Sequence, residues 1–117
     1  MIALKAVLLQ TYNLQVDDAE NGQVAVDKVK QALKNKRMYK LILMDIQMPV
    51  MDGYDSTREI LKLLSSTNYQ CNIVAVTSNS SQDTVNKSLK AGMKKLISKP
   101  VKNEHLKEVM DAYYFTD

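Results

Sequence analysis

Two short apolar runs, Leu41-Ile-Leu-Met44 and Ile73-Val-Ala-Val76, each close on one polar residue, Asp45 and Thr77, and each is followed by a segment of helical periodicity. An unbroken apolar run of this length is what a strand covered on both faces requires, and parallel neighbours must be joined by a crossover, usually a helix. Few architectures satisfy both demands. The pattern predicts an α/β fold in three layers, a doubly wound, mostly parallel sheet with helices on both faces and right-handed connections. In such sheets ligands sit outside the carboxyl ends of the strands, so the residues that end strands carry most of the functional information.

The rest of the chain fits around these runs as one helix followed by four strand-helix units. Leu4, Val7 and Leu8 recur at helical spacing, so Ile2 to about Tyr12 reads as a helix. Leu14, Val16 and Ala19 alternate with polar residues as a half-buried edge strand would, and Asn21 can cap a helix with Ala25, Val29, Ala32 and Leu33 on one face. After Asp45, a loop with Pro49 and Gly53 leads to Ser56-Thr-Arg-Glu59, a capping-box pattern that would open a helix carrying Ile60, Leu61 and Leu64. Ser80 or Ser81 caps a helix presenting Val85 and Leu89, and Gly92 stops it. Leu96-Ile-Ser98 is a short strand ended by Lys99-Pro100, and a last helix would bury Leu106, Val109, Met110 and Tyr113. Residues 1–117 read as a single domain, with no linker or low-complexity tract.

Composition narrows the class. With 45% hydrophobic and 25% charged residues, and no apolar run near the roughly 18 residues a membrane span needs, a soluble domain without membrane contact is expected. The single cysteine, Cys71, cannot form an internal disulfide, and no secretory signal is visible, which together point to the cytoplasm. A net charge of +3 spread along the chain gives no reason to expect nucleic acid; the densest basic stretch, Lys34-Asn-Lys-Arg37 with Lys40, reads as a solvated helix end. Cys71 reads as a small buried residue, His105 as exposed, and Met44, Met48 and Met51 as packing residues rather than metal ligands.

Three strand ends then carry different chemistry. Asp45 offers a carboxylate able to attack phosphorus, Thr77 a hydroxyl able to donate to a phosphoryl oxygen, and Lys99 a mobile charge to offset the negative charge gathered there. Phosphoryl transfer depends mainly on positioning and electrostatic stabilisation, so little else is required.

At these residues the chain resembles the receiver domains of two-component phosphorelay signalling. Asp45-Ile-Gln-Met-Pro-Val-Met-Asp-Gly53 resembles the family's phosphoacceptor loop, Val76-Thr-Ser78 its switch hydroxyl, and Ala91-Gly-Met93 with Ser98-Lys-Pro100 its closing motif. Asn21-Gly-Gln is similar to the start of the family's second helix, and the overall style is most similar to receivers of hybrid sensor histidine kinases. The resemblance implies a flavodoxin-like receiver fold. It makes Asp45 the phosphorylation site and a Mg2+ ligand, adds the backbone carbonyl of Gln47 as a second ligand, and assigns Thr77 and Lys99 to the phosphoryl group. It also implies a cis Lys99-Pro100 bond and a partner histidine kinase or histidine phosphotransfer protein that supplies the phosphoryl group.

The chain departs from the family in two places. A complete receiver begins with a strand ending in an acidic pair that helps hold magnesium, and that first, central strand is expected to be missing here, as in an N-terminally truncated receiver. Asp17-Asp18 lies in the wrong strand to replace it, so magnesium binding through Asp45 should weaken. Strand order 2-1-3-4-5 would leave a gap between the strands at Leu14 and Leu41. An upstream segment, a strand-swapped or other homo-oligomer, or direct re-pairing could close it. The second departure is Leu96, which stands where receivers often carry a switch aromatic, with Lys94 and Lys95 before it where family members are often acidic.

Two functions follow from different readings of these facts. One is a phosphoacceptor that changes its helix 4/strand 5/helix 5 surface to signal; it would catalyse no reaction beyond its own phosphorylation and dephosphorylation. The alternative is a pseudo-receiver, a protein-binding module that is not phosphorylated. A small flavodoxin-like enzyme or cofactor carrier is a third class, disfavoured because no glycine-rich phosphate loop follows the first visible strand.

Overall fold

A computed structural model describes residues 6–10 and 16–115. The elements run β1 (Ala6–Gln10), β2 (Val16–Ala19), α1 (Gly22–Lys34), β3 (Tyr39–Asp45), α2 (Gly53–Leu64), β4 (Asn72–Thr77), α3 (Gln82–Ala91), β5 (Lys95–Ser98) and α4 (Asn103–Tyr113). The five strands form one sheet in the order β2-β1-β3-β4-β5. Strands β3, β4 and β5 are mutually parallel, with Asp45 beside Val76 and Thr77 beside Ser98.

The helix expected over Ile2 to Tyr12 is corrected where those residues are described: Ala6–Gln10 is a strand, antiparallel to both β2 and β3. It occupies the middle position that was expected to be empty. A short apolar run such as Ala6-Val-Leu-Leu9 suits a buried strand as well as a helix, and periodicity alone does not separate them. The deciding term is tertiary: β2 and β3 each present a row of backbone donors and acceptors to this position, and buried groups of that kind need partners. Leu14 lies outside the described residues.

One face of the sheet carries three helices and the other carries one. Leu8, Ile42, Met44, Ile73 and Ala75 pack with Val26 and Val29 of α1 and Ile60 of α2. On the opposite face Leu41, Val74 and Ile97 pack against Val109 and Tyr114, with Met110 and Tyr113 at the margin. Leu106 is only half-buried, so α4 buries less of its apolar row than the spacing suggested. The layering is that of the doubly wound class.

Local signals set where the helices begin and end. Asn21 caps α1, its side chain accepting from the Val24 N–H at 2.9 Å. The capping box expected at Ser56 is corrected. Asp52 is the cap of α2, accepting from the Asp55 N–H at 2.8 Å, and Ser56 sits one turn inside the helix. There its hydroxyl donates to the Gly22 carbonyl at 2.9 Å, tying α2 to the head of α1. The approach is so close that a Cβ on Gly22 would lie 2.3 Å from the Met51 carbonyl oxygen.

Ser81 caps α3, and Gly92, at φ 107°, ends it in the left-handed conformation that glycine adopts without steric cost. The face expected to be buried is corrected as well. Thr84, Ser88 and Ala91 face the interior, while Leu89 is 55% exposed and Val85 half-buried, because the small residues let the helix lie close against the sheet. Cys71 is buried as expected, and burial pushes its thiol pKa up to about 12; His105 is exposed.

Thr57 is fully buried and its hydroxyl finds no partner among the described residues. A buried, unpaired hydroxyl costs about 1 kcal/mol or more. Thr57→Val should therefore be neutral or raise stability by up to about 1 kcal/mol, read as an unchanged or higher urea midpoint; a clear loss would show that the hydroxyl has a partner.

Candidate functional site

Asp45 is the last residue of β3, and its side chain is 5% exposed at the carboxyl edge of the sheet. Burying a carboxylate is tolerable only if its oxygens are engaged. One oxygen, Oδ1, accepts from the Gln47 N–H at 2.9 Å, and the other, Oδ2, accepts from the Lys99 ammonium at 2.5 Å. The lysine remains 42% exposed along its side chain. It reaches into the site from the water side.

The three strand ends are held together by main-chain bonds rather than by the reactive side chains. The Ile46 N–H donates to the Val76 carbonyl at 3.2 Å, joining the end of β3 to β4, and the Lys99 N–H donates to the Thr77 carbonyl at 2.8 Å, joining β4 to β5. Thr77 is 3% exposed, and its hydroxyl accepts from the Asn79 N–H at 3.1 Å. The Lys99-Pro100 bond is cis, as the resemblance implied. The loop after Asp45 folds back through Gly53, whose N–H donates to the Ile46 carbonyl at 2.9 Å.

Structure thus brings Asp45 and Lys99 into contact, sets Thr77 on the neighbouring strand end, and puts Gln47 two residues beyond Asp45. A cleft of about 440 Å3 opens beside them, running from Gln47 and Met48 across Thr77 to Asn79 and Tyr54. Asn79 was not singled out in the sequence. Its signal was its place two residues after a strand-ending threonine, where a hydroxyl turn forms. Gly53 was noticed only as part of a motif, and the close approach that demands it was not legible.

Asp17 and Asp18 lie elsewhere. The Asp17 carboxylate accepts from the Tyr39 hydroxyl at 2.5 Å, at the start of β3 and so at the opposite end of that strand from Asp45. Burial first, then this bond and the charge of Asp17, hold the Tyr39 hydroxyl pKa above its ordinary value. Asp18 is exposed. Among the described residues no three histidine, cysteine, aspartate or glutamate side chains gather as a metal cluster would require. On the far side, Leu96 is half-buried against the three-helix core, and Lys94 and Lys95 are exposed.

Comparison with known proteins agrees with this geometry. The family model described as the response regulator receiver domain matches residues 1–111. The chain is 42% identical over 98 residues to the two-component response regulator ORR41 of Oryza sativa subsp. japonica, covering 84% of this chain and 72% of that protein. It is 36% identical over 98 residues to the osmosensing histidine protein kinase SLN1 of Saccharomyces cerevisiae, covering 84% of this chain but only 8% of the kinase. Among solved structures, the receiver domain of the histidine kinase CKI1 from Arabidopsis thaliana, complexed with Mg2+ and BeF3-, superposes with a TM-score of 0.69 at 28% identity, over 80% of this chain and 70% of that one. The co-crystal structure of the Saccharomyces cerevisiae phosphotransfer protein Ypd1 with the receiver domain of Ssk1 matches with a TM-score of 0.67 at 29% identity, over 82% of this chain and 68% of that one. A buried strand-end carboxylate gripped by a lysine, a hydroxyl on the adjacent strand and a family match across nearly the whole chain lead to one conclusion: this chain belongs to the response regulator receiver domain family.

Proposed function

We propose that Asp45 accepts a phosphoryl group from a phosphohistidine of a partner histidine kinase or histidine phosphotransfer protein. The observation that carries this reading is the Asp45–Lys99 contact at the carboxyl edge of the sheet. A carboxylate oxygen of Asp45 attacks phosphorus, an O–P bond forms, the N–P bond breaks and the imidazole leaves with its electron pair. Lys99 shifts from the carboxylate to an oxygen of the incoming group, and the Thr77 hydroxyl donates to another. Each group strengthens its interaction as negative charge accumulates there, which lowers the barrier rather than merely tightening binding.

Asp45 and the Gln47 carbonyl would hold a magnesium ion, which when bound offsets charge on the phosphoryl oxygens. One carboxylate and one carbonyl suit a cation that keeps most of its water shell, as magnesium does. With so few protein ligands the affinity is weak, and Lys99 competes for the same carboxylate. The domain acts in the cytoplasm and passes the signal on through the surface formed by α3, β5 and α4.

Incubation with magnesium and acetyl phosphate, followed by intact-mass measurement, tests the proposal. A gain of one phosphoryl group is expected, and Asp45→Asn should abolish it. A second reading, a pseudo-receiver that only docks, is favoured by the lack of a clustered acidic site among the described residues. It predicts no mass gain in the unaltered chain and partner binding indifferent to Asp45→Asn.

A further inference from the structure

A second cleft opens at the end of the sheet opposite Asp45. It encloses about 280 Å3 between α1, β2 and the start of β3. One wall is a single face of α1, where Lys28, Gln31, Ala32 and Asn35 stand at i, i+3, i+4 and i+7, a strip about 10 Å long. Asp17 of β2 and Tyr39 of β3 line the other wall, and the buried Met38 joins Ala32 in giving the cleft an apolar middle.

The two ends of the strip differ in charge. At one end the Lys28 ammonium donates to the Asp18 carbonyl, which sets it near Asp17, whose carboxylate accepts from the Tyr39 hydroxyl. A carboxylate can accept about four hydrogen bonds, so this one does not exhaust Asp17. At the other end α1 closes with the Lys36 N–H donating to the Leu33 carbonyl at 3.1 Å and the Arg37 N–H to the Ala32 carbonyl at 2.8 Å, Lys36 taking φ 56°. That paired closure fixes the backbone from which the Arg37 side chain lines the cleft. Arg37 enters no ion pair among the described residues.

We infer that this cleft binds an acidic α-amino acid, with the α-carboxylate on Lys28, the α-ammonium on Asp17 and the side-chain carboxylate on the Arg37 guanidinium. The methylenes lie on Ala32 and Met38, and the amides of Gln31 and Asn35 supply further donors. Each charged group of such a ligand meets its opposite, and two cations against one carboxylate match its net negative charge. The planar guanidinium suits a carboxylate, which it can grip through two parallel bonds. A phosphate dianion fits poorly, because Asp17 and the carbonyl end of α1 oppose dense negative charge. A plain diacid would set one carboxylate against Asp17. A divalent cation would be repelled by Lys28 and Arg37, and no acidic cluster gathers for it among the described residues.

The test titrates the 15N-labelled full chain with L-glutamate and follows amide resonances by NMR. Those of residues 28–37 should shift and saturate, while those of Thr77 and Lys99 stay in place. Glutarate, which lacks the ammonium, and L-glutamine, which lacks the second carboxylate, should each bind about tenfold more weakly, since each loses one charge-assisted contact. Arg37→Ala should erase the preference for L-glutamate over L-glutamine, and Asp17→Asn the preference for L-glutamate over glutarate. Neither change threatens the fold: Arg37 is exposed, and asparagine keeps an acceptor for the Tyr39 hydroxyl. No saturable shift at millimolar L-glutamate, equal affinities for the three ligands, or preferences unchanged in both variants would overturn the inference. So would inorganic phosphate displacing L-glutamate at equal concentration, or shifts confined to the Asp45 corner.

Discussion

Gly53→Ala is expected to cost about 3 kcal/mol or more, because overpacking against a fixed backbone leaves no flexible atom to move aside. A Cβ at Gly53 would lie 2.4 Å from the Asp45 carbonyl oxygen and 2.9 Å from the Ile46 Cα. Both obstacles are main chain at the end of a buried strand. Relief would require α2 to lift, breaking the Gly53–Ile46 hydrogen bond and the Ser56–Gly22 bond behind it. Urea denaturation followed by circular dichroism measures the loss, and Gly92→Ala supplies a comparison. There the added methyl meets the flexible Leu61 side chain, so the cost comes mainly from a strained φ of 107° and should be about 1–2 kcal/mol. Equal midpoints for Gly53→Ala and the unaltered chain would contradict the close approach.

Lys99→Ala should destabilise the fold even though the lysine is half in solvent. Removing it takes from the nearly fully buried Asp45 carboxylate the ammonium that donates to Oδ2. Breaking one side of such a pair costs about 2 kcal/mol at a partly screened site, less than the 3–5 of a fully buried one. Asp45→Asn should be close to neutral, because the ammonium can turn to water. The double variant should recover most of the loss, since no charge is then buried alone. A thermodynamic cycle on Asp45→Asn, Lys99→Ala and their combination reads the coupling directly. Additive effects would mean that the contact contributes nothing to stability.

The parallel half of the fold was legible because its rules are local and redundant. In β3 and β4, unbroken apolar runs, polar strand ends and caps at Asn21 and Ser81 all pointed the same way; two of the three candidate site residues came from those strand ends and the third, Lys99, from the end of β5. The antiparallel β1 was not legible. Its apolar residues satisfy helical and extended spacing alike, and what selected the strand was the pair of neighbours beside it. Ser56 misled for a related reason: it has the form of a cap, but Asp52 four residues earlier takes that role and frees Ser56 for a contact with Gly22, distant in sequence. Likewise α3 looked conventionally amphipathic until packing favoured its small residues.

The antiparallel strand at the centre of the sheet also divides the domain's resistance to opening. Among the described residues strand β2 is attached to the rest of the sheet only through β1, whereas Asp45, Thr77 and Lys99 all lie at the ends of the β3-β4-β5 block. Transient fraying of the amino-terminal hairpin would let amide protons of Val16–Ala19 exchange with solvent long before those of Asn72–Thr77, and the reactive corner would stay assembled while its neighbours come and go.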